Sequence, residues 1–381
     1  MRTAASIKSR PLRATLHLSA LRHNLAIARQ HAPNSRILAV IKANAYGHGM
    51  LRAARALETA DGFAVLNLSE AIHLRESGFR QFILLLEGIF SADELPELAR
   101  HQIGCVIHAT WQADAILDAG LAPEIPVWLK LNTGMNRLGL QVGDFESVLG
   151  RLQNAGARLT LMTHFSRADE PGGTCAQLAR FEGMTSALAL PRSMANSAAL
   201  LSAPTTHADW VRPGIMLYGA SPLDAPKYLN LLKPAMTLSS EIISIQSIQA
   251  GETVGYGDTF IAPCEMRVGT VACGYADGYP RHAPSGTPVL VYPQGAGRGC
   301  KADKSATTTL GGQRTRLIGR VSMDMLSVDL TNLPDARIGS PVTLWGQGLP
   351  VEEVAQAAGT ISYELLCALA ARVPVVEDED G

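Results

Sequence analysis

The stretch RILAVIKANAYGHG, residues 36–49, reads as a buried strand that ends on a lysine. Arg36 to Ile41 is almost continuously apolar, the pattern of a strand covered on both faces. Lys42 stands where that strand should end, and Tyr46-Gly47-His48-Gly49 turns at once. The default explanation for a lone lysine there is a stem that packs while the ammonium reaches water. The rest of the chain decides whether that explanation holds.

The same pairing of apolar run and helical segment recurs downstream. Strands are predicted over residues 36–42, 62–67, 81–88, 104–109, 126–132, 158–164, 191–196 and 211–217. Between most of them lie segments such as SEAIHLRESG and TWQADAILDAG, apolar at helical spacing with Ser or Thr in cap position. Apolar strands separated by helices indicate a covered parallel sheet, and units in this number match a (β/α)8 barrel. An open doubly wound sheet stays as the alternative, because periodicity does not show closure.

Past residue 240 the texture changes. Short β-branched runs at 241–247, 267–273, 287–292, 317–330 and 340–345 are separated by Gly- and Pro-rich turns. Helical stretches at 351–358 and 362–371 follow them. The fold class is therefore α/β plus β: an N-terminal (β/α)8 TIM-type barrel over 20–240, then a mainly β C-terminal domain over 241–381. The run Arg13 to Leu18, within 12–19, precedes the barrel pattern and is expected to add a strand to the β domain. Residues 293–316, glycine-rich and basic, read as an extended surface loop.

Composition narrows the function. The chain has 381 residues, 47% of them hydrophobic, and a formal net charge of −1. So balanced a charge offers no basic field for nucleic acid or anionic lipid. No apolar run approaches the roughly 18 residues of a membrane span, and the basic N-terminus leads into no apolar signal core. Six scattered cysteines without CxxC spacing fit separate reduced thiols. The expectation is a cytoplasmic protein with no membrane or nucleic-acid partner and no metal.

In a barrel, chemistry gathers at the C-terminal strand ends. Those ends carry Lys42 and Tyr46, then Lys130 and Arg137, then His164, then Asn196-Ser197, and finally Arg212-Pro213-Gly214-Ile215. Each alone has an ordinary structural explanation; their placement on successive strands does not. Cations, hydroxyls and Gly-Ile backbone amides on one rim suit a phosphate. No GxGxxG follows a strand and no GxxxxGK[ST] occurs, which disfavours a dinucleotide or P-loop site. A lysine beside a phosphate cradle points to a Schiff base with pyridoxal phosphate, because an amine forms an imine only with a carbonyl.

The motifs AVIKANAYGHG (39–49), KLNTGMNRLG (130–139), THFSRADE (163–170), NSAA (196–199), VRPGIMLYG (211–219), GYADGYPR (274–281) and GRVSMDM (319–325) together resemble the motif series of alanine racemases. The resemblance runs in order over about residues 12 to 375. It implies a homodimeric, pyridoxal 5'-phosphate-dependent isomerase that interconverts L- and D-alanine and supplies D-alanine for peptidoglycan. Carried over by motif, Lys42 would hold the cofactor covalently. Tyr46, Ser197, the backbone of Gly214 and Ile215, and Tyr363 in ISYEL would bind its phosphate. Arg212 would meet the pyridine nitrogen with His164 behind it. Arg137 would lie near the cofactor oxygen and the substrate carboxylate, steadied by Lys130, which is carbamylated in many members. Tyr275 would enter from the neighbouring subunit with the Met323 backbone. Asp169, Arg320 and Ile361 would line the access corridor.

Racemisation needs acid/base groups on opposite faces of the α-carbon, and Lys42 and Tyr275 fill those roles in this reading. Alternatives stay open: a racemase of another small amino acid such as serine, a pyridoxal-phosphate decarboxylase of the same architecture, a cofactor-free Schiff-base aldolase, or a non-catalytic cofactor carrier. Arg212 weighs against the decarboxylase, since an arginine will not protonate a ring nitrogen as an acidic residue does.

Overall fold

The computed structural model describes residues 10–223, 230–292 and 311–378. Most of the glycine-rich run, residues 293–310, lies outside the described residues, as does the end of the acidic tail. The chain divides into two compact units, one spanning Ala20–Lys233 and the other combining the N-terminal residues through Ser19 with Pro234 onward.

In the first unit the strands pair in parallel and close, which settles the barrel against the open sheet. After β1 (Arg13–His17), which belongs to the other unit, the barrel strands follow in chain order. They are β2 (Arg36–Val40), β3 (Gly62–Val65), β4 (Phe82–Leu85), β5 (Ile103–Ile107), β6 (Val127–Lys130), β7 (Leu159–Met162), β8 (Arg192–Ser193) and β9 (Trp210–Val211). Each runs shorter than its apolar stretch suggested. The last two shrink most: residues 194–196 lead into a helix capped by Asn196, and Ile215–Tyr218 is a tight 3-10 turn. Proline at 213 supplies no backbone N–H, so the ladder cannot run through it.

The N-terminal mouth of the barrel is plugged. Phe82, Trp128 and Trp210 stack there at 5.6–5.9 Å between ring centroids, and the Arg36 guanidinium lies 4.8 Å over the Trp210 ring. Gly104 makes this packing possible, because a Cβ there would sit 2.5 Å from Phe82 Cζ. With one mouth filled by rings, polar side chains are left the opposite one.

In the second unit, β10 (Met236–Ile248) is the organising strand. Its first half pairs with β1, antiparallel, and with β17 (Pro341–Trp345); its second half pairs with β13 (Met266–Val271), after an irregularity between Ile242 and Ser244. Around it stand the hairpin β11 (Thr253–Val254) and β12 (Phe260–Ile261), then β14 (Pro288–Val291), β15 (Gln313–Ile318), β16 (Leu326–Asp329) and the terminal β18 (Val375–Asp378). The apolar stretch 317–330 is thus two strands broken by the turn that carries Arg320 and Met323. Gly319, at φ 71°, opens that turn. The closing helices are Val351–Ala357 and Ser362–Cys367, the second ending before the expected 371. β18 runs parallel to β1, where buried His17 bonds Thr237 at 2.9 Å and Asp378 at 3.3 Å.

Replacing Gly104 by Ala should destabilise the protein by about 1–3 kcal/mol through overpacking against Phe82. Gly150, inside the helix Val142–Asn154, has open space around it. There, alanine should stabilise by about 0.4–1 kcal/mol. Melting temperatures that move the same way in both variants would contradict this packing.

Candidate active site

Lys42 is set on the rim by an unusual piece of backbone. The four residues after it, Ala43, Asn44, Ala45 and Tyr46, hold φ between 51° and 54°, a single left-handed turn built without glycine. Each residue with a Cβ pays roughly 1–2 kcal/mol to stand there. Hydrogen bonds offset the strain: Ala45 N donates to Ile41 O at 2.9 Å, Gly47 N to Ala43 O at 3.1 Å and Gly49 N to Asn44 O at 2.9 Å. Asn44 Oδ1 also accepts from Met50 N at 2.9 Å, joining the turn to the next helix.

Buried His48 grips the same turn from behind. Its Nδ1 lies 3.0 Å from Ala45 O and 2.9 Å from Tyr46 O; both are acceptors, so Nδ1 carries the proton. Burial pushes the ring down to about 4, which keeps it neutral. The rings of Tyr46 and His48 each lie 4.7 Å from that of Tyr218, whose hydroxyl donates to Val40 O at 2.9 Å.

Cations crowd the floor of the rim. Lys130 ends β6 almost fully buried, and its amine is pushed down to about 8 by burial, then by Arg212, Arg137 and Lys42, with Glu87 acting in the opposite sense. Arg212, 3% exposed, donates to Ser193 Oγ at 2.6 Å, Thr163 O at 2.7 Å and Met194 O at 3.3 Å. Burial brings its guanidinium down to about 9, still charged at neutral pH. Its Nη2 also faces His164 Nδ1 at 3.3 Å. As a guanidinium only donates, His164 accepts there. Burial, then Arg212, Lys130, Arg137 and Lys42, hold the His164 ring well below its ordinary range. Arg137 sits on the exposed loop after β6, where Asn132 Oδ1 accepts from the Gly134 and Asn136 amides, each at 3.1 Å.

Beside this cluster is a small cradle. Ser197 Oγ accepts from Gly214 N at 2.8 Å and from Met216 N at 3.4 Å, tying the start of the helix Ser197–Ser202 to the turn after β9. A Cβ on Gly214 would stand 2.6 Å from Tyr46 Oη, so glycine is what lets the tyrosine hydroxyl approach that backbone. Lys42, Tyr46, Lys130, Arg137, His164, Ser197, Arg212, Gly214 and Ile215 are thus all placed by strand ends of one barrel. Asp169 lies exposed beyond β7.

The other expected residues belong to the β unit. Tyr275 begins a 3-10 turn, with its N donating to Ser322 O and Ala276 N to Met323 O, both at 3.0 Å. These bonds bring Tyr275 and Met323 together; both side chains are exposed, and the Arg281 guanidinium is 6.0 Å from the Tyr275 ring centre. Arg320 is exposed on the turn before Met323. Ile361 and Tyr363 flank the start of the last helix, both exposed. No group of His, Cys, Asp and Glu among the described residues could hold a metal. No helix among them is long and apolar enough to cross a membrane.

Fold and site define a barrel-plus-β-domain enzyme with a lysine-bearing cationic rim. Family models for the alanine racemase N-terminal domain and C-terminal domain match residues 16–222 and 235–377, so the chain belongs to the alanine racemase family, whose members are isomerases. An alanine racemase of Nitrosomonas eutropha is 52% identical over 96% of this chain and 99% of its own length. The crystal structure of a biosynthetic alanine racemase from Pseudomonas aeruginosa superposes with a TM-score of 0.89 at 48% identity, covering 97% of this chain and all of that one. That of an alanine racemase from Bartonella henselae with covalently bound pyridoxal phosphate has a TM-score of 0.83 at 26% identity, covering 97% of this chain and 100% of that one.

Sequence reasoning passed over His48, Tyr218 and Asp277, though each stands inside a quoted motif. A histidine in YGHG and an aspartate in GYADG invite a turn reading, and only the fold shows what they hold. One consequence of the cation cluster is measurable by NMR. At about pH 6, where an ordinary histidine is largely charged, the His164 ring should remain neutral. Arg212→Met should move its titration upward by removing a neighbouring charge; a ring that titrates normally in the parent protein would contradict the burial assigned here.

Proposed function

We propose that this chain interconverts L- and D-alanine with pyridoxal 5'-phosphate, as a homodimer with shared sites, and supplies D-alanine for peptidoglycan. Membership of the family supports the reaction. The observation that supports the cofactor is the joining of one lysine, a buried arginine and a hydroxyl-lined cradle closed by Gly214 on a single rim. That donor set fits a phosphorylated aromatic aldehyde: Lys42 would carry it, while Tyr46, Ser197 and the backbone of Gly214 and Ile215 would hold its phosphate. Arg212 would face its ring nitrogen, held in place by Ser193, Thr163 and His164. The same reading assigns Tyr363 to the phosphate, and Asp169, Arg320 and Ile361 to the access corridor.

When bound, the cofactor supplies a π system that withdraws the electron pair of the substrate's Cα–H bond. The chain's own residues do the rest. Arg137 would take the substrate carboxylate. Lys42 Nζ would remove the α-proton on one face while Tyr275 Oη of a second copy returns a proton on the other; the reverse direction exchanges these roles. Removal by Lys42 Nζ needs the neutral amine, while return from Tyr275 Oη needs the protonated phenol; the reverse direction needs the phenolate and the ammonium. Arg212 would keep its own proton, so the bound cofactor would supply a weaker electron sink and reprotonation at Cα would be favoured over transamination or decarboxylation.

Lys130 belongs to the same reading. An amine lowered to about 8 is partly neutral near physiological pH. Its lone pair would attack the carbon of CO2, and the displaced proton would leave to solvent. The product is an anion among Arg137, Arg212 and Lys42, which replaces repulsion by attraction and steadies Arg137 for the substrate. With isotope-labelled bicarbonate, the holoenzyme should show a carbamate carbonyl resonance that is missing in Lys130→Ala. Labelling that survives that substitution would contradict the assignment.

Chiral analysis after incubation with L-alanine should show D-alanine forming; CO2 release without it would overturn the racemase reading. In Tyr275→Phe, washout of α-deuterium should fall selectively for one enantiomer, and an equal fall for both would contradict one base per face.

A further inference from the structure

We propose that Asp277, clamped by Arg10 and Arg372, is a positioning residue that fixes the turn carrying Tyr275 and, through Asp324, the Met323 backbone beside it. The inference rests on the role given to Tyr275 above. Asp277 has no exposed surface, yet it is a carboxylate, and a buried charge is tolerated only when its oxygens are fully occupied. They are. Oδ1 accepts from Arg10 Nη1 and from Arg372 Nε, each at 2.7 Å; Oδ2 accepts from Arg10 Nη2 at 2.7 Å and from Gly274 N at 2.8 Å. Burial alone would raise this carboxyl, but Arg10, Arg372 and the Gly274 amide more than offset it and hold it below its usual range.

What makes this a positioning device is the set of segments it ties. Arg10 also donates to Asp324 O at 2.7 Å, and Arg372 Nη2 to Asp324 Oδ1 at 2.6 Å. The backbone of Asp277 accepts from Ala370 N at 3.1 Å. So Arg10, the Tyr275 turn and the segment after the last helix meet at one carboxylate, and the two arginines carry the link on to the Met323–Asp324 turn. Neither turn has slack. A Cβ on Gly274 would lie 2.3 Å from both Ser322 O and Met323 O, and one on Gly278 would lie 2.2 Å from Ala368 O. Tyr275 is 39% exposed, so packing within its own chain leaves part of the ring uncovered. Its direction is set by the backbone beneath it, and the backbone is set by this knot.

The test uses the cofactor-loaded enzyme. Asp277→Asn keeps the shape but turns an amide donor toward guanidinium donors. It should lower kcat on the order of a hundredfold, the scale of a misplacement of about 1 Å. The cofactor absorbance should stay unchanged, and α-deuterium washout should fall chiefly for the enantiomer whose washout Tyr275→Phe depresses. Independently of activity, hydrogen exchange at the Tyr275 and Ala276 amides should accelerate while the barrel amides stay protected. Arg372→Lys, which keeps the charge but not the fork, should show smaller changes of the same kind, and carries the test should Asp277→Asn not fold. Unchanged amide protection, or a fall in α-deuterium washout shared equally by both enantiomers while Tyr275→Phe discriminates between them, would overturn the knot. Equal loss in Tyr275→Phe itself would instead refute the role of Tyr275, and the exchange data would still decide whether the knot holds the turn.

Discussion

Like charges brought together repel, and this barrel brings Lys42 and Arg137 to the same rim as the buried Lys130 and Arg212. Burial, and then the neighbouring cations, push the amine of Lys130 and the ring of His164 down. Such an arrangement spends folding free energy unless an anion shares it. A phosphate and a carboxylate are the anions that the proposed chemistry brings, and a carbamate on Lys130 would be a third. Under the proposed function, this crowding would turn from unfavourable to favourable once those anions bind.

The backbone is arranged to the same end. A left-handed turn of four residues with Cβ atoms is expensive, and this one stands directly after Lys42, the lysine proposed to carry the cofactor. Its hydrogen bonds, the His48 ring and the Tyr46–Tyr218 stack keep the strain in place, which fixes where Lys42 leaves the strand and where Tyr46 Oη meets Gly214. At the opposite mouth, Phe82, Trp128 and Trp210 use glycine gaps to fill the barrel with apolar rings. One end is closed by packing, and the other is left to chemistry.

Much of this was readable in the residues. Apolar strand runs with helices between them are a direct consequence of a sheet buried on both faces, so the covered parallel sheet followed from period and order, while its closure came from the structure. Lys42, Lys130, His164 and Arg212 were visible because they interrupt or end such runs. The left-handed turn was not, since Ala-Asn-Ala-Tyr carries no glycine to announce it and is held by contacts from His48 and Tyr218. The short β8 and β9 were hidden because apolar residues in turns look like strand. Asp277 was hidden because its partners, Arg10 and Arg372, lie at opposite ends of the chain, and no local pattern joins them.

The central claim is that Lys42 is the residue this rim exists to present. Loading the protein with pyridoxal phosphate, reducing the adduct with borohydride and mapping the modified peptide tests it directly. The account predicts a single reduced adduct on Lys42, and no adduct or chromophore in Lys42→Ala. Modification of Lys130 or any other lysine in its place, or a chromophore that survives in Lys42→Ala, would contradict it.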